Sequence, residues 1–410
     1  MTSSDDPTRV PPPLAGVRVL ALEQMQSLPY ATQLLARMGA DVVKVESTGT
    51  GDQGRSSTPF LRDPEGRPVG ATFLRNNLHK RSLCVDLKSG AGLDLVLRMA
   101  PRFDVVCENF KPGTADKLGV GYEAIRAVHP SVIYLSVSGF GNTGGSPYRS
   151  WPAFSTVVEA MSGIYEMKRP EGQPPVTAPV GGLGDISAAL FATIGVLAAL
   201  RQREATGQGQ YLDVSMFDAT VAMTDIVMNF WSLGLRGGEI GPLISHGFWA
   251  GDGWVIIQVG REHQFAAFAE LLGHPEWTSD PRFATRQGWV DHLDDEIRPA
   301  VKVWAEGLTT LEVCERLSAA GIAAGPCFED EDVVNDPHLR AHGMIVEIER
   351  PDGVDQPVLL PGNPLALAGC PRETTGHVPW LGEHTDEVLA AELDLTRDEI
   401  AKLRSDGVVA

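Results

Sequence analysis

The stretch of the sequence best suited to chemistry carries a single carboxylate, Asp185. It follows a turn in which Gly181, Gly182 and Gly184 allow positive φ and let a ligand approach the backbone closely. The almost unbroken apolar run at 188–200 then predicts a buried helix. We expect Asp185 to lie just before this helix, where free amide N–H groups and the helix dipole favour its ionised form.

Asp185 has two possible roles at this stage. Aspartate is a common N-cap, so its function could be confined to starting the helix. Three glycines exceed what a cap requires, however, and an ionised carboxylate beside an open turn can also act as a covalent nucleophile. The local sequence leaves both interpretations open.

Basic residues follow several predicted strands and form the second group of interest. Surface lysines and arginines are usually only solvated, but cations gathered near strand ends in an acidic chain can also hold a phosphate. The residues concerned are Arg55, Lys80 with Arg81 and Lys88, and Lys111 with Lys117.

Alternating strands and helices in the first third of the chain predict how these groups are positioned. Short apolar runs of strand length alternate with helical patterns, which indicates an α/β fold with a parallel sheet covered on both faces. In such folds the functional groups lie at the carboxyl ends of the strands. The predicted strands are 17–23, 40–46, 82–88, 103–110 and 131–141, and the predicted helices are 31–39, 91–100 and 122–130. A Gly-rich stretch at 237–241 then leads to a smaller unit that begins with a strand at 254–260.

Whole-chain properties limit the possible functions. A chain of 410 residues is long enough for two domains. Its net charge of −19 argues against a general nucleic-acid or anionic-membrane surface, and the apolar run at 188–200 is shorter than a membrane span. Five scattered cysteines without a CxxC pair predict a reducing compartment, which we take to be the cytoplasm, and neither a disulfide framework nor a metal site.

Several segments together resemble the family III CoA-transferases, a group that includes formyl-CoA transferase, carnitine CoA-transferase and α-methylacyl-CoA racemase. The stretches that carry the resemblance are LAGVRVLALEQMQSLPYATQLLARMGADVVKVE, HKRSLCVDLKSGAG, CENFKPGTADKLGVGYEAI, VSGFGNTGG, GLGDISAALFATIGVLAAL, GQGQYLDVSMFDA and LGEHTDEVL.

The resemblance implies a fold of a large Rossmann-like domain and a smaller α+β domain, in chains that form an interlocked homodimer. On this sequence the large CoA-binding domain would span 14–220 and a linker 221–245. The small domain would span 246–335, and the segment 336–410 would return to pack on the large domain.

The resemblance also implies that Asp185 is a catalytic nucleophile. In such transferases the carboxylate attacks an acyl-CoA thioester to give an anhydride, released CoA converts this to an enzyme thioester, and an acceptor acid leaves as its CoA ester. The helix N-terminus would keep the carboxylate ionised, and nearby N–H groups could hold the oxyanion. The substrates implied are an acyl-CoA and a free carboxylic acid, with no permanently bound cofactor.

Matching positions imply a binding site for CoA. Gln26 falls on a residue that lines the cofactor site, Lys88 and Lys117 on residues that hold the ADP phosphates, and Gly184 on the turn that admits the thioester. Ser47 replaces a frequent arginine after the strand-ending glutamate, which could transfer its role to Arg55 or Arg81.

Other departures favour transfer over racemisation. Racemases of this family use a histidine at the position of Phe154, and phenylalanine cannot carry a proton. The Gly-rich loop of formyl-CoA transferase is absent from 246–254, so formate and oxalate are disfavoured as substrates. Two alternatives remain: an α-methylacyl-CoA racemase or epimerase, and a catalytically silent CoA-binding protein.

Overall fold

The structure is a computed structural model. It describes residues 10–167, 169, 171–177, 181–224, 226–235, 241–368, 370 and 373–410. The strands are β1 (Arg18–Leu22), β2 (Asp41–Glu46), β3 (Phe60–Arg62), β4 (Pro68–Gly70), β5 (Arg81–Cys84), β6 (Val105–Glu108), β7 (Ile133–Ser138), β8 (Gln210–Ser215), β9 (Ile244–Trp249), β10 (Trp254–Val259), β11 (Ala323–Pro326), β12 (Ile345–Ile348) and β13 (Val358–Pro361). The helices are α1 (Ser27–Arg37), α2 (Ala71–Asn76), α3 (Gly90–Met99), α4 (Thr114–Leu118), α5 (Tyr122–Val128), α6 (Ser155–Met161), α7 (Leu183–Thr206), α8 (Met216–Met223), α9 (Ile226–Ser232), α10 (Glu262–Leu271), α11 (Arg286–Asp291), α12 (Arg298–Trp304), α13 (Thr310–Ala319), α14 (Asp330–Asn335), α15 (Pro337–Ala341), α16 (Thr385–Leu393) and α17 (Arg397–Ser405).

Two compact units make up the chain. Unit 1 comprises residues up to 232 together with 338–410, and unit 2 comprises 233–337. The segment predicted as a linker, 221–245, contains the end of α8 and all of α9, and β9 begins just before its end. The predicted return segment, 336–410, supplies β12, β13, α16 and α17, and from residue 338 it belongs to unit 1.

A six-stranded parallel sheet forms the centre of unit 1, as the alternating pattern predicts. Its spatial order is β5-β2-β1-β6-β7-β8, and every neighbouring pair is parallel. Numbered along the chain these strands run 3-2-1-4-5-6, the order of doubly wound nucleotide-binding sheets. The order reverses between β1 and β6, and ligands of such sheets bind at the carboxyl ends of the strands at that point.

Both faces of the sheet are buried, which explains the nearly continuous apolar runs of its strands. In β1, Val19 and Ala21 belong to the core shared with α1 and α7, whereas Leu20 and Leu22 belong to the core shared with α3, α16 and α17. The C-terminal segment is also tied to the edge strand β5, because Val409 bridges to Val85.

The central helix α7 is longer than the predicted run at 188–200. Among the described residues it is the helix that is long and apolar enough to cross a membrane by length and composition. Its small side chains, Ala188 and Ala192 among them, are buried in the core of unit 1 against α1, whereas Phe191 and Ile194 are exposed. One face of α7 is therefore core and the other is an apolar surface.

Unit 2 has its own core around the antiparallel sheet β11-β10-β9. Val255, Ile257 and Val259 of β10 are buried while the intervening residues are exposed, the alternation of a sheet covered on one face. The ring of Phe265 stacks on that of Trp289 with centroids 4.4 Å apart.

Candidate active site

Asp185 lies in the first turn of α7, not before it. Gly182 is the N-cap residue, with φ of 92°, and Asp185 is the third residue of the helix. A Cβ on Gly182 would lie 2.9 Å from Asp185 Oδ2 and 3.0 Å from Gln26 Nε2. Glycine at this position therefore provides both the left-handed backbone and the space for the two polar groups.

Glu159 of α6 binds the N-terminus of α7. Its Oε1 accepts a hydrogen bond from the N–H of Gly184 at 3.0 Å, and the carboxylate also accepts one from the N–H of Leu183. The next N–H, that of Asp185, donates to Ser155 Oγ at 3.2 Å. The expectation of free N–H groups beside Asp185 is therefore not met at Leu183, Gly184 and Asp185, because these three donors already have acceptors and cannot hold a substrate oxyanion without being released.

Glu159 is buried and accepts further hydrogen bonds from side chains. Its residue is 1% exposed, and it also accepts hydrogen bonds from the hydroxyls of Ser155 and Tyr165. Burial opposes ionisation of Glu159, but these donors outweigh burial and lower the pKa of its carboxyl. Glu159 is therefore ionised and places a negative charge near Asp185.

The environment of Asp185 raises its pKa from 3.8 to about 6. Burial is the largest cause, followed by the negative charge of Glu159; the positive charge of Arg75 and a hydrogen bond from the Ser27 side chain oppose them. Burial and the charge of Glu159 therefore outweigh the helix dipole, which was expected to keep Asp185 ionised. Near neutral pH the carboxylate is still mainly ionised, but it is more basic than an ordinary aspartate.

If Asp185 is the nucleophile that the family resemblance implies, this shift should appear in the pH dependence of the first half-reaction. Protonated Asp185 is not a nucleophile, so the single-turnover rate should fall as pH drops, with its half-maximum near pH 6, and should be constant above about pH 7. Rapid-quench measurement from pH 4.5 to 8 tests this, with CoA affinity measured at the same pH values as the control. A half-maximum near pH 4 would contradict it.

Gln26 and Arg75 complete the surroundings of Asp185. Gln26 Nε2 donates to the carbonyl of Gly181 at 2.6 Å, and its Oε1 accepts a hydrogen bond from the Arg75 guanidinium. The amide of Gln26 therefore links the arginine of α2 to the glycine turn before α7. The structure places the predicted residue Gln26 at the site.

A buried cluster of charges supports the turn that presents Gln26. Met25 has φ of 65°, unusual for a residue other than glycine, and its N–H donates to Asp52 Oδ1 at 2.9 Å. Asp52 is paired with Lys44 at 2.7 Å, and Glu23 is paired with Lys80 at 2.6 Å. Each of these four charged side chains is inaccessible to solvent.

Lys80 therefore cannot belong to a phosphate clamp. It is enclosed by Glu23, the carbonyl of Pro29 and the side chain of Asn77, and burial lowers its pKa to about 8. Its role is to fix the loop that follows β1.

The expectation that Arg55 or Arg81 replaces the arginine missing at Ser47 is also not met. Arg55 is 3% exposed and forms two 2.7 Å hydrogen bonds to Glu46. Arg81 is half-buried and pairs with Asp41 at 2.6 Å. Both guanidinium groups thus form ion pairs with acidic residues of β2, and these pairs are apparent only in the folded structure.

Lys88, for which the resemblance implies a contact with a phosphate of CoA, follows the edge strand β5. It lines a cavity of about 150 Å³ beyond the carboxyl ends of β1 and β2, together with Ser47, Val85, Phe110 and Leu118. The ammonium-bearing side chain is exposed, and so is that of Lys117, the neighbour of Leu118 on α4. The cavity lies at the reversal point of the sheet, where a nucleotide is expected.

Arg75, Glu159 and Ser27 influence the pKa of Asp185, and the sequence pattern does not single them out. They come from α2, α6 and the start of α1, and no motif connects them. An arginine and a glutamate in amphipathic helical stretches look like solvated surface residues, and only the packing of the helices around Asp185 reveals them.

A carboxylate with a raised pKa beside a doubly wound sheet is typical of the class of enzymes that use a carboxylate as a nucleophile or a general base. Comparison with known proteins identifies the family within that class. The chain belongs to CoA-transferase family III, whose sequence model matches residues 14–385.

Relatives with assigned activities cover nearly the whole chain. It is 34% identical to succinyl-CoA–D-citramalate CoA-transferase of Chloroflexus aurantiacus, over 98% of this chain and 99% of that one. It is also 34% identical to succinate–glutarate CoA-transferase of Agrobacterium fabrum, over 94% and 97%. A solved CAIB/BAIF family protein from Brucella suis superimposes with a TM-score of 0.81 at 31% identity, covering 93% of this chain and 100% of that chain. The protein is accordingly an acyl-CoA:carboxylate CoA-transferase.

Proposed function

We propose that this enzyme transfers CoA through covalent intermediates on Asp185. The carboxylate oxygen attacks the acyl-CoA carbonyl, the C–S bond breaks, and CoA leaves as a thiolate. The thiolate then attacks Cγ of Asp185 in the anhydride, so that the donor acid leaves and an enzyme–CoA thioester remains. An acceptor carboxylate reverses both steps and leaves as the new acyl-CoA.

The observation that carries this proposal is the raised pKa of a half-buried carboxylate in an open glycine turn. A carboxylate with a pKa of about 6 is a stronger nucleophile than an ordinary aspartate and remains ionised near neutral pH. Gly181, in the turn before the helix, is exposed. An N-cap alone does not account for these features, because Glu159 already binds the helix N-terminus.

Mass spectrometry of the intact protein after incubation with acyl-CoAs tests the mechanism. Succinyl-CoA belongs in the panel because the Chloroflexus relative uses it by name. We expect a CoA-sized adduct and, after hydroxylamine treatment, a hydroxamate that maps to Asp185. The absence of an adduct with every donor, despite CoA binding, would instead favour the silent CoA-binding protein.

The racemase alternative receives little support from the site. Phe154, at the position of the racemase histidine, is the N-cap residue of α6 and is 70% exposed. Its neighbour Ser155 contacts the backbone of Asp185 and offers only a hydroxyl. Exchange of the α-proton of an acyl-CoA without CoA transfer would establish racemisation.

Lys88 and Lys117 are proposed to bind the phosphates of CoA beside the 150 Å³ cavity. Replacing both with glutamine should raise the KM for acyl-CoA about tenfold or more and leave kcat nearly unchanged, because the contacts exist in ground and transition state alike. Steady-state kinetics measure this, with the exposed Lys302→Gln of unit 2 as the matched control. A fall in kcat with constant KM would contradict the assignment.

We also propose that the protein acts in the cytoplasm as an interlocked homodimer. The free cysteines support a cytoplasmic location. The exposed apolar residues Phe191 and Ile194 of α7 support a partner chain on that face. Light scattering coupled to size-exclusion chromatography tests the dimer.

A further inference from the structure

A second cavity of unit 1 lies beside the site and shares one residue with it. Its volume is about 340 Å³, and β3, α2 and β13 form its walls. The lining is mainly apolar and includes Leu61, Leu74, Val358 and Leu360. The shared residue is Arg75, which lines this cavity and also interacts with Asp185.

The cavity offers one available positive charge. Its other described cation, Arg350, is neutralised by Asp352 through two hydrogen bonds of 2.7 and 3.0 Å. Within the described part of the chain, which omits 178–180, Gln26 is the hydrogen-bond partner of the Arg75 guanidinium. Arg75 therefore keeps donors for a ligand, and a guanidinium matches the geometry of a carboxylate.

The charge balance of Arg75 changes during the proposed reaction. In the resting enzyme the negative charge of Asp185 compensates the half-buried guanidinium. In the enzyme–CoA thioester Asp185 carries no charge, so Arg75 loses that compensation. The affinity of the site for an anion should consequently be higher in the covalent intermediates, including the thioester that waits for the acceptor acid, than in the resting enzyme.

We propose that Arg75 binds the carboxylate of the incoming acid and that the apolar cavity receives a compact hydrocarbon body. The inference rests on the proposed function and adds a substrate class, a monocarboxylic acid with a branched or aromatic body. A second carboxylate would face the apolar wall of the cavity, where no free cation among the described residues meets it. The bound carboxylate oxygen attacks Cγ of the Asp185 thioester, the C–S bond breaks, and CoA leaves as a thiolate.

Equilibrium binding of free acids tests the proposal without turnover. Asp185→Asn reproduces the uncharged state of the thioester, and ligand-observed NMR at pH 8 compares it with the wild type, using isovalerate, benzoate and glutarate as probes. We expect isovalerate and benzoate to bind about tenfold more tightly to the Asp185→Asn protein, and glutarate to bind more weakly than either. Adding Arg75→Gln should abolish the gain, whereas Arg75→Lys should restore part of it.

Controls separate the proposal from a general loss of structure. Circular dichroism of each variant reports whether the fold is retained, and Arg98→Gln, a substitution of an exposed arginine on α3, serves as the matched control and should leave acid binding unchanged. Ala71→Leu, which narrows the cavity, should weaken benzoate binding more than acetate binding, and this readout remains if the Arg75 variants do not fold.

Equal acid affinity in wild type and Asp185→Asn, or in Asp185→Asn with and without Arg75→Gln, would overturn the role of Arg75. Tighter binding of glutarate than of isovalerate would overturn the substrate class. Failure of the proposed function has a different signature, namely no enzyme–CoA thioester in the wild type.

Discussion

Replacing Asp185 with asparagine is expected to lower kcat for CoA transfer at least about a thousandfold while the protein still folds. Asparagine has nearly the same shape but cannot form the anhydride of the proposed mechanism, in which case both half-reactions stop. Steady-state kinetics and intact-protein mass spectrometry measure the loss of turnover and of the CoA adduct. A variant with a tenth or more of the wild-type activity would exclude Asp185 as nucleophile.

The same substitution should stabilise the protein. Because folding raises the pKa of Asp185 from 3.8 to about 6, the folded state binds the proton more tightly, and wild-type stability falls as pH rises through that interval. Asparagine removes this penalty. We expect the variant to melt about 2 °C or more above the wild type at pH 8 and at the same temperature near pH 3.5.

Asp218 offers a matched control for both measurements. It is also the third residue of its helix, α8, but it is exposed. Asp218→Asn should change neither turnover nor the pH dependence of melting.

Replacing Glu159 with alanine should destabilise the protein by about 2–4 kcal/mol, because it removes the acceptor from two backbone N–H groups and two hydroxyls at a buried helix start. Denaturant unfolding followed by circular dichroism measures the change. Turnover should also fall, since Asp185 lies on the turn that Glu159 holds.

Glu159→Gln separates charge from packing. It keeps the shape of the side chain but removes the negative charge that raises the pKa of Asp185, so the acid limb of the pH–rate profile should move below pH 6. Glu166→Ala, an exposed residue paired with Arg169, is the control and should alter stability by less than about 0.5 kcal/mol. An unchanged profile in Glu159→Gln would show that its charge does not reach Asp185.

Much of the fold is predictable from periodicity. The apolar runs from β1 to β7 are recognisable because strands buried on both faces carry little else, and the helices between them have clear amphipathic patterns. The β3–β4 hairpin and α2 have no such signal, since each is short and only one of their faces packs on the core. The exact start of α7 was missed because a glycine N-cap gives no side-chain signature.

The site is less predictable than the fold. Asp185 is recognisable as a candidate because glycines precede it and an apolar helix follows it. Gln26 and Lys88 become candidates only through the family resemblance. The pairing of Arg55 and Arg81 with acidic residues of β2 is not predictable from the sequence: Asp41 is 40 residues from Arg81, and Glu46, although only nine residues from Arg55, lies in a different element. Ion pairs between separate elements leave no local pattern, and the same is true of the contact between Glu159 and α7.

Two groups of charges in the protein should respond differently to ionic strength. One is the buried cluster that holds Met25, and the other is the exposed lysines beside the 150 Å³ cavity. Mobile ions cannot enter the cluster of Lys44, Lys80, Glu23 and Asp52, so its attractions are hardly screened. The contacts proposed between Lys88 and the phosphates of CoA would face the solvent, because Lys88 is exposed, and would weaken as salt is added. Concentrated salt should therefore raise the KM for acyl-CoA while the buried ion pairs keep the conformation of the loop at Met25.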